Sequence, residues 1–153
     1  MENNFNEILR DHLYTESGEK VSIDPDYFLV YFGADWCKDC VAAKEYIKNI
    51  AVELNSTYGN INMIFAGCAR DQSNEDVLRS LKVGEYNIPY IKFEDREVTN
   101  INSVTYPSPR TYIPGFVLIK KDGTILSSSN GLTIDDWCLE TPVEYFKNLM
   151  KQS

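Results

Sequence analysis

The chain has 153 residues, enough for one domain over residues 1–153 with a core of its own. A hydrophobic fraction of 43% with ten tyrosines excludes a disordered chain. A formal charge of −8 without any basic stretch excludes nucleic acid, whose phosphates demand clustered Lys and Arg, and disfavours anionic membranes. Residues Met1–Glu7 carry neither a basic nor an apolar signal region, so no secretory leader is expected. No apolar run approaches the length of a membrane span. Four cysteines without a leader predict free thiols in a reducing cytoplasm.

Ile8-Leu9 and Leu13-Tyr14, followed by Gly18 to Val21, predict a short helix or strand, a turn and a strand. Asp24-Pro25-Asp26 is a turn signal. Tyr27–Phe32 is a nearly continuous apolar run, as a central strand covered on both faces requires.

That run leads into Trp36-Cys37-Lys38-Asp39-Cys40, at the start of a helical pattern. Two cysteines three positions apart lie one helical turn apart and can close and reopen a small disulfide. At a helix mouth, the partial positive charge of the free N–H groups favours thiolate, the form that attacks disulfides. Cys37 is therefore the candidate nucleophile and Cys40 the resolving thiol. A zinc half-site is the competing reading. Structural zinc wants four ligands, and Cys68, Cys138 and His12 include no second pair at ligand spacing. Redox chemistry is the better fit, with no metal and no cofactor. Two purely structural cysteines are a third reading, and such pairs seldom fall on a strand-to-helix junction behind a Trp.

Ile47, Ile50, Ala51, Leu54 and Tyr58 recur at three- and four-residue steps, predicting an amphipathic helix closed by Gly59. Ile61–Ala66 is a second buried-strand candidate. Ser73 opens a further helix, with acids in its first turn and Val77, Leu78 and Leu81 as its apolar side. Pro89 to Phe93 predicts a short extended stretch. Residues 96–106 suggest a helix weakened by β-branched Val98, Thr99, Ile101, Val104 and Thr105, with Pro107 and Pro109 ending it. Gly115 to Ile119 and Thr124 to Leu126 flank Lys120-Lys121-Asp122-Gly123, a hairpin signal. Thr141, Pro142 and Glu144 predict a capping box with proline at the first helical position.

The order strand, Trp-Cys-x-x-Cys, helix, strand, helix, Ile-Pro, hairpin, helix resembles the thioredoxin superfamily. The likeness spans roughly residues 8–131, and Phe32 to Cys40 with Ile113-Pro114 are its specific part. The tryparedoxin and nucleoredoxin group is the most similar within it: Val30 to Cys37 resembles that group's Tyr-Phe-Ser-Ala-Ser-Trp-Cys. The 77 positions from Cys37 to Pro114 also suit this larger group. The resemblance implies an α/β fold, a central mixed sheet flanked by helices, with an N-terminal β-hairpin extension. It implies a cis Ile113-Pro114 bond lying against the Cys pair. It implies substrate docking by Trp36, Lys38, Asp39, Ile113 and Pro114.

Lys38-Asp39 departs from the group's usual Pro-Pro. Tyr31 stands where ordinary thioredoxins keep a buried acid, so the base for Cys40 is unidentified. Residues 94–112 fit the group's helix poorly. Asp35 and Asp39 are taken as solvated charges that oppose thiolate at Cys37, whereas Lys38 and the helix terminus favour it. Cys68 is taken as a core or semi-buried thiol, Cys138 as a packing residue beside Trp137, and His12 as a surface residue.

The function expected is a monomeric cytosolic reductase of protein disulfides, such as that of a peroxiredoxin. Trypanothione, glutathione or a flavoprotein reductase would supply its electrons. The alternative is a binding module whose Cys pair gates an interaction without useful turnover.

Overall fold

The computed structural model describes residues 4–105, 107–108 and 111–152. The chain begins with α1 (Phe5–Leu9), capped by the Asn4 side chain, which accepts from the Glu7 N–H. Strand β1 (Leu13–Tyr14) follows, and an antiparallel bridge from Tyr14 to Lys20 closes the expected hairpin. Its second arm is a single bridge rather than a strand. Next come β2 (Tyr27–Phe32), α2 (Lys38–Ala42) and α3 (Lys44–Glu53), which ends in a π-turn over Leu54–Tyr58. Gly59 closes that turn at φ +74°, a left-handed conformation that glycine adopts without a Cβ penalty. Then come β3 (Ile61–Phe65), α4 (Asn74–Gly84), β4 (Tyr90–Ile91) and α5 (Arg96–Thr99). Strands β5 (Gly115–Lys120) and β6 (Ile125–Ser128) form the hairpin, and α6 (Thr141–Lys151) closes the fold.

The six strands form one mixed sheet in the order β1-β4-β3-β2-β5-β6. β2 runs parallel to β3 and antiparallel to β5. Its continuous apolar run follows from this central place. Leu29 and Tyr31 face a core shared with α3, α4 and α6, and Phe28, Val30 and Phe32 face a second core closed by α1 and Ile101. The fold is the α/β arrangement expected from the element order, a central mixed sheet with helices on both faces.

Two local expectations are corrected. Glu140, before α6, already has helical angles (φ −74°, ψ −17°). The helix therefore starts at Thr141, one residue early, and no side chain caps it. The expected capping box does not form. The weak helix over 96–106 is cut at Asn100, whose φ of +54° is left-handed, and continues only as a 3-10 turn over Ile101–Ser103. Tyr106 and Pro109 lie outside the described residues. Val41, before the periodic stretch, is exposed. Among the described residues, no helix is long and apolar enough to cross a membrane.

Candidate active site

β2 ends at Phe32, and the Gly33 N–H donates to the Gly67 carbonyl, tying the following loop to the end of β3. That loop delivers Cys37 to the N-cap of α2 with extended angles (φ −85°, ψ 117°). Its Sγ accepts from the Cys40 N–H at 3.2 Å. A sulfur that accepts a backbone N–H at a helix start is placed where negative charge is favoured. The Ile113–Pro114 bond is cis, as the resemblance implies, and the Ile113 carbonyl lies 3.8 Å from Cys37 Sγ. Cys37 is only 9% exposed, more covered than an exposed nucleophile, and Cys40 lies behind it at 2%.

The docking candidates divide by exposure. Trp36 is 55% exposed, with the Arg70 guanidinium 5.6 Å from its ring centroid. Lys38 and Asp39 are exposed on α2. Ile113 is half-buried against the Cys pair. Pro114 is buried, and its carbonyl accepts from Trp137 Nε1 at 2.8 Å. Trp36, Cys68, Arg70, Tyr112, Ile113 and Ile134 line a groove of about 520 Å³ on this side.

Asp35 is not a free solvated charge. Its carboxylate accepts from Ser80 Oγ and Arg79 Nε, each at 3.1 Å, and its own N–H donates to Ser80 Oγ at 2.9 Å. The loop after β2 crosses α4, which supplies both partners, so the Asp35 charge is already paired.

Cys68 is buried, as expected, and packs in one cluster with Ala34, Cys37 and Cys40. A network behind it was not legible in the sequence. Asp71 Oδ2 accepts from the Cys68 N–H, and Arg96 donates to the Cys68 and Ala66 carbonyls and to Asp71. Burial pushes the Cys68 thiol up, and the nearby Asp71 carboxylate adds to that. Cys138 is exposed rather than packed, and its Sγ lies 3.3 Å from Glu140 Oε2. His12 Nδ1 sits 3.2 Å from Asp95 Oδ2, on α1's side of the sheet.

Tyr31 lies beneath the Cys pair, its ring against Tyr86, Phe65 and Phe116. Burial pushes the Cys40 thiol well up, its contact with Cys37 adds to this, and the Ala34 backbone opposes it. Cys40 therefore waits as the protonated partner. Among the described residues, no three His, Cys, Asp or Glu side chains cluster to hold a metal ion.

Residues 24–125 match the family described as Thioredoxin-like. No curated protein matches the sequence. Thioredoxin from Wuchereria bancrofti is similar at 19% identity and a TM-score of 0.64, over 93% of this chain and 95% of that one. Tryparedoxin II from C. fasciculata is similar at 17% and 0.62, over 80% and 83%. A thiol-disulfide oxidoreductase from Bacteroides fragilis is similar at 21% and 0.58, over 90% and 95%. At these identities the likeness is one of fold.

Proposed function

We infer the function from one premise: the chain belongs to the thioredoxin-like family. On that premise, Cys37 and Cys40 form a dithiol that reduces disulfides in protein substrates. The Cys37 thiolate attacks one sulfur of the substrate disulfide, forms a mixed disulfide and expels the other sulfur as thiolate. Cys40 then loses its proton and attacks Cys37 Sγ. The second substrate thiolate leaves, and both are protonated to thiols. Two electrons pass from the dithiol to the substrate, and a Cys37–Cys40 disulfide remains for a reductant to reopen. The observation that carries this reading is the Cys37 sulfur at the α2 N-cap, accepting from the Cys40 N–H, with the Cys40 thiol buried behind it.

The finer reading places the chain with tryparedoxins and nucleoredoxins, on the Val30 to Cys37 segment and the hairpin that precedes it. A peroxiredoxin disulfide is the substrate proposed, approaching over Trp36, Lys38, Asp39 and Ile113. Trypanothione, glutathione or a flavoprotein reductase would close the cycle. An exposed, unpaired Cys138 suits a reducing compartment, as the cytoplasm is.

The test is turnover on insulin or a peroxiredoxin with each donor in turn. Cys37→Ser is expected to abolish reduction. Cys40→Ser is expected to allow one attack and trap a mixed disulfide at Cys37, identified by mass spectrometry. Turnover retained in Cys37→Ser, or trapping through Cys40, would reverse the roles. Oxidation and reduction of the wild type without turnover would instead mark the pair as a gate on binding.

A further inference from the structure

Before Cys40 attacks it must lose a proton, and burial holds that proton on. No carboxylate stands on β2 to take it, since Tyr31 occupies the place. The surroundings of Cys40 contain another route. Tyr31 and Cys40 line one small cavity, and the Tyr31 hydroxyl lies 3.5 Å from the Tyr86 hydroxyl. The two rings meet edge to face, with centroids 5.3 Å apart. Two glycines make room for the pair. A Cβ on Gly33 would overlap the Tyr31 hydroxyl, and one on Gly84 would overlap the Tyr86 ring. Both phenols and Cys40 open onto a small cavity of about 80 Å³, also lined by Asp35, Ser80 and Lys44. This cavity lies apart from the groove beside Trp36, with which it shares no lining residue.

We propose that Tyr31 and Tyr86 form a proton relay that carries the Cys40 proton to solvent on the Lys44 side of the fold. The inference rests on the reductase reading and adds the path of the resolving step. The Cys40 S–H passes its proton to Tyr31 Oη as the Tyr31 O–H passes its own to Tyr86 Oη. Tyr86 releases its proton to solvent. Both phenols begin and end neutral, and no electrons move. The proton that left sulfur is now on Tyr31, aimed back at the Cys40 thiolate, and stabilises it as a hydrogen-bond donor. In this proposal Tyr31 exchanges the proton with the reacting sulfur, and Tyr86 acts through it. Neutral phenols suit this role, because burial first of all holds Tyr31 and Tyr86 protonated.

The other charged groups around the relay are committed elsewhere. Asp35 is paired with Arg79 and Ser80, and Lys44 Nζ with Glu85 Oε1 at 2.8 Å. Lys44 keeps the Glu85 carboxyl below its ordinary range, which makes it a poor base. Cys37 is tied up in the mixed disulfide at this stage.

The test is stopped-flow reduction of dithiobis-nitrobenzoate from pH 6 to 9.5, with every protein carrying Cys138→Ser to remove the exposed third thiol. Its coloured thiolate is released once when Cys37 attacks and again when Cys40 resolves. Tyr31→Phe keeps the ring and removes only the hydroxyl. It is expected to leave the first release unchanged and slow the second by about tenfold to a hundredfold at pH 7. The deficit should shrink as pH rises and hydroxide replaces the relay. Tyr86→Phe should show a smaller deficit of the same form, and Asp35→Asn none. An unchanged second release in Tyr31→Phe would overturn the relay. So would equal slowing of both releases, which marks a structural role, or a deficit confined to Asp35→Asn. Absence of the first release in the Cys138→Ser parent would instead defeat the reductase reading, and the relay with it.

Discussion

The four thiols differ in what surrounds them, and that difference is measurable. Cys138 is exposed, Cys37 presents a 9% edge at the helix start, and Cys40 and Cys68 are 2% and 4% exposed. Brief iodoacetamide treatment of the reduced protein at pH 7 is expected to label Cys138 and Cys37 first. Cys40 and Cys68 should stay unlabelled until denaturant is added, because burial both hides them and raises their thiols. Peptide mass spectrometry reads the order, and early labelling of Cys68 would contradict its place in the core. At this scale the sequence is legible where chemistry is local. Cys37 and Cys40 are three positions apart, and Ile113-Pro114 is a dipeptide. The partners of these groups are not local. Tyr31 meets Tyr86 across 55 positions, Trp137 reaches Pro114 across 23, and Arg96 reaches Asp71 across 25. The segment after α4 brings Tyr86 to Tyr31, and the segment between β6 and α6 brings Trp137 to Pro114. Trp137 had one faint signal, a lone indole among acids just before a helix.

Elements differ in how firmly their own residues specify their ends. Ser73 Oγ accepts from the Asp76 N–H at 3.3 Å and fixes the start of α4, as its position before two acids predicts. Thr141 offers the same residue class before α6, yet it sits inside the helix and caps nothing. Ser73→Ala is therefore expected to cost about 1 kcal/mol. Exposed Thr141→Ala should stay within about 0.5 kcal/mol of the parent. Urea denaturation measures both, and equal losses would undo the assignment of the two ends. The contrast explains which elements were legible. β2 and α3 carry a pattern along their whole length, and no neighbour is needed to read them. α5 is four residues long, and its end is set by the left-handed Asn100. Its Arg96 is there to reach Asp71 beneath Cys68, a constraint that no helical periodicity encodes.

The molecule as a whole stores protons in its interior, and its stability should show this. Burial holds Cys40, Cys68, Tyr31 and Tyr86 in their acid forms. A group raised by folding contributes fully below its ordinary pKa, and that contribution is lost as pH rises toward its folded value. The ordinary values are about 8.5 for thiols and about 10 for phenols. Unfolding free energy of the reduced protein should be flat from pH 6 to 8 and fall above about 8.5. It should fall more steeply above about 10, at no more than about 1.4 kcal/mol per pH unit for each group. Guanidinium titrations across this range test it; stability that rose between pH 8 and 10.5 would contradict it. Tyr31→Phe should flatten the upper part of the curve. The two faces of β2 carry a last consequence. One strand serves both cores, with Leu29 and Tyr31 in one and Phe28, Val30 and Phe32 in the other. Neither core can dissolve alone, because each loses its central wall when the other lets go. The protein is therefore expected to unfold as a single cooperative unit, with coincident urea curves by fluorescence and circular dichroism. On that expectation, the Cys pair that follows this strand loses its arrangement only when the whole sheet does.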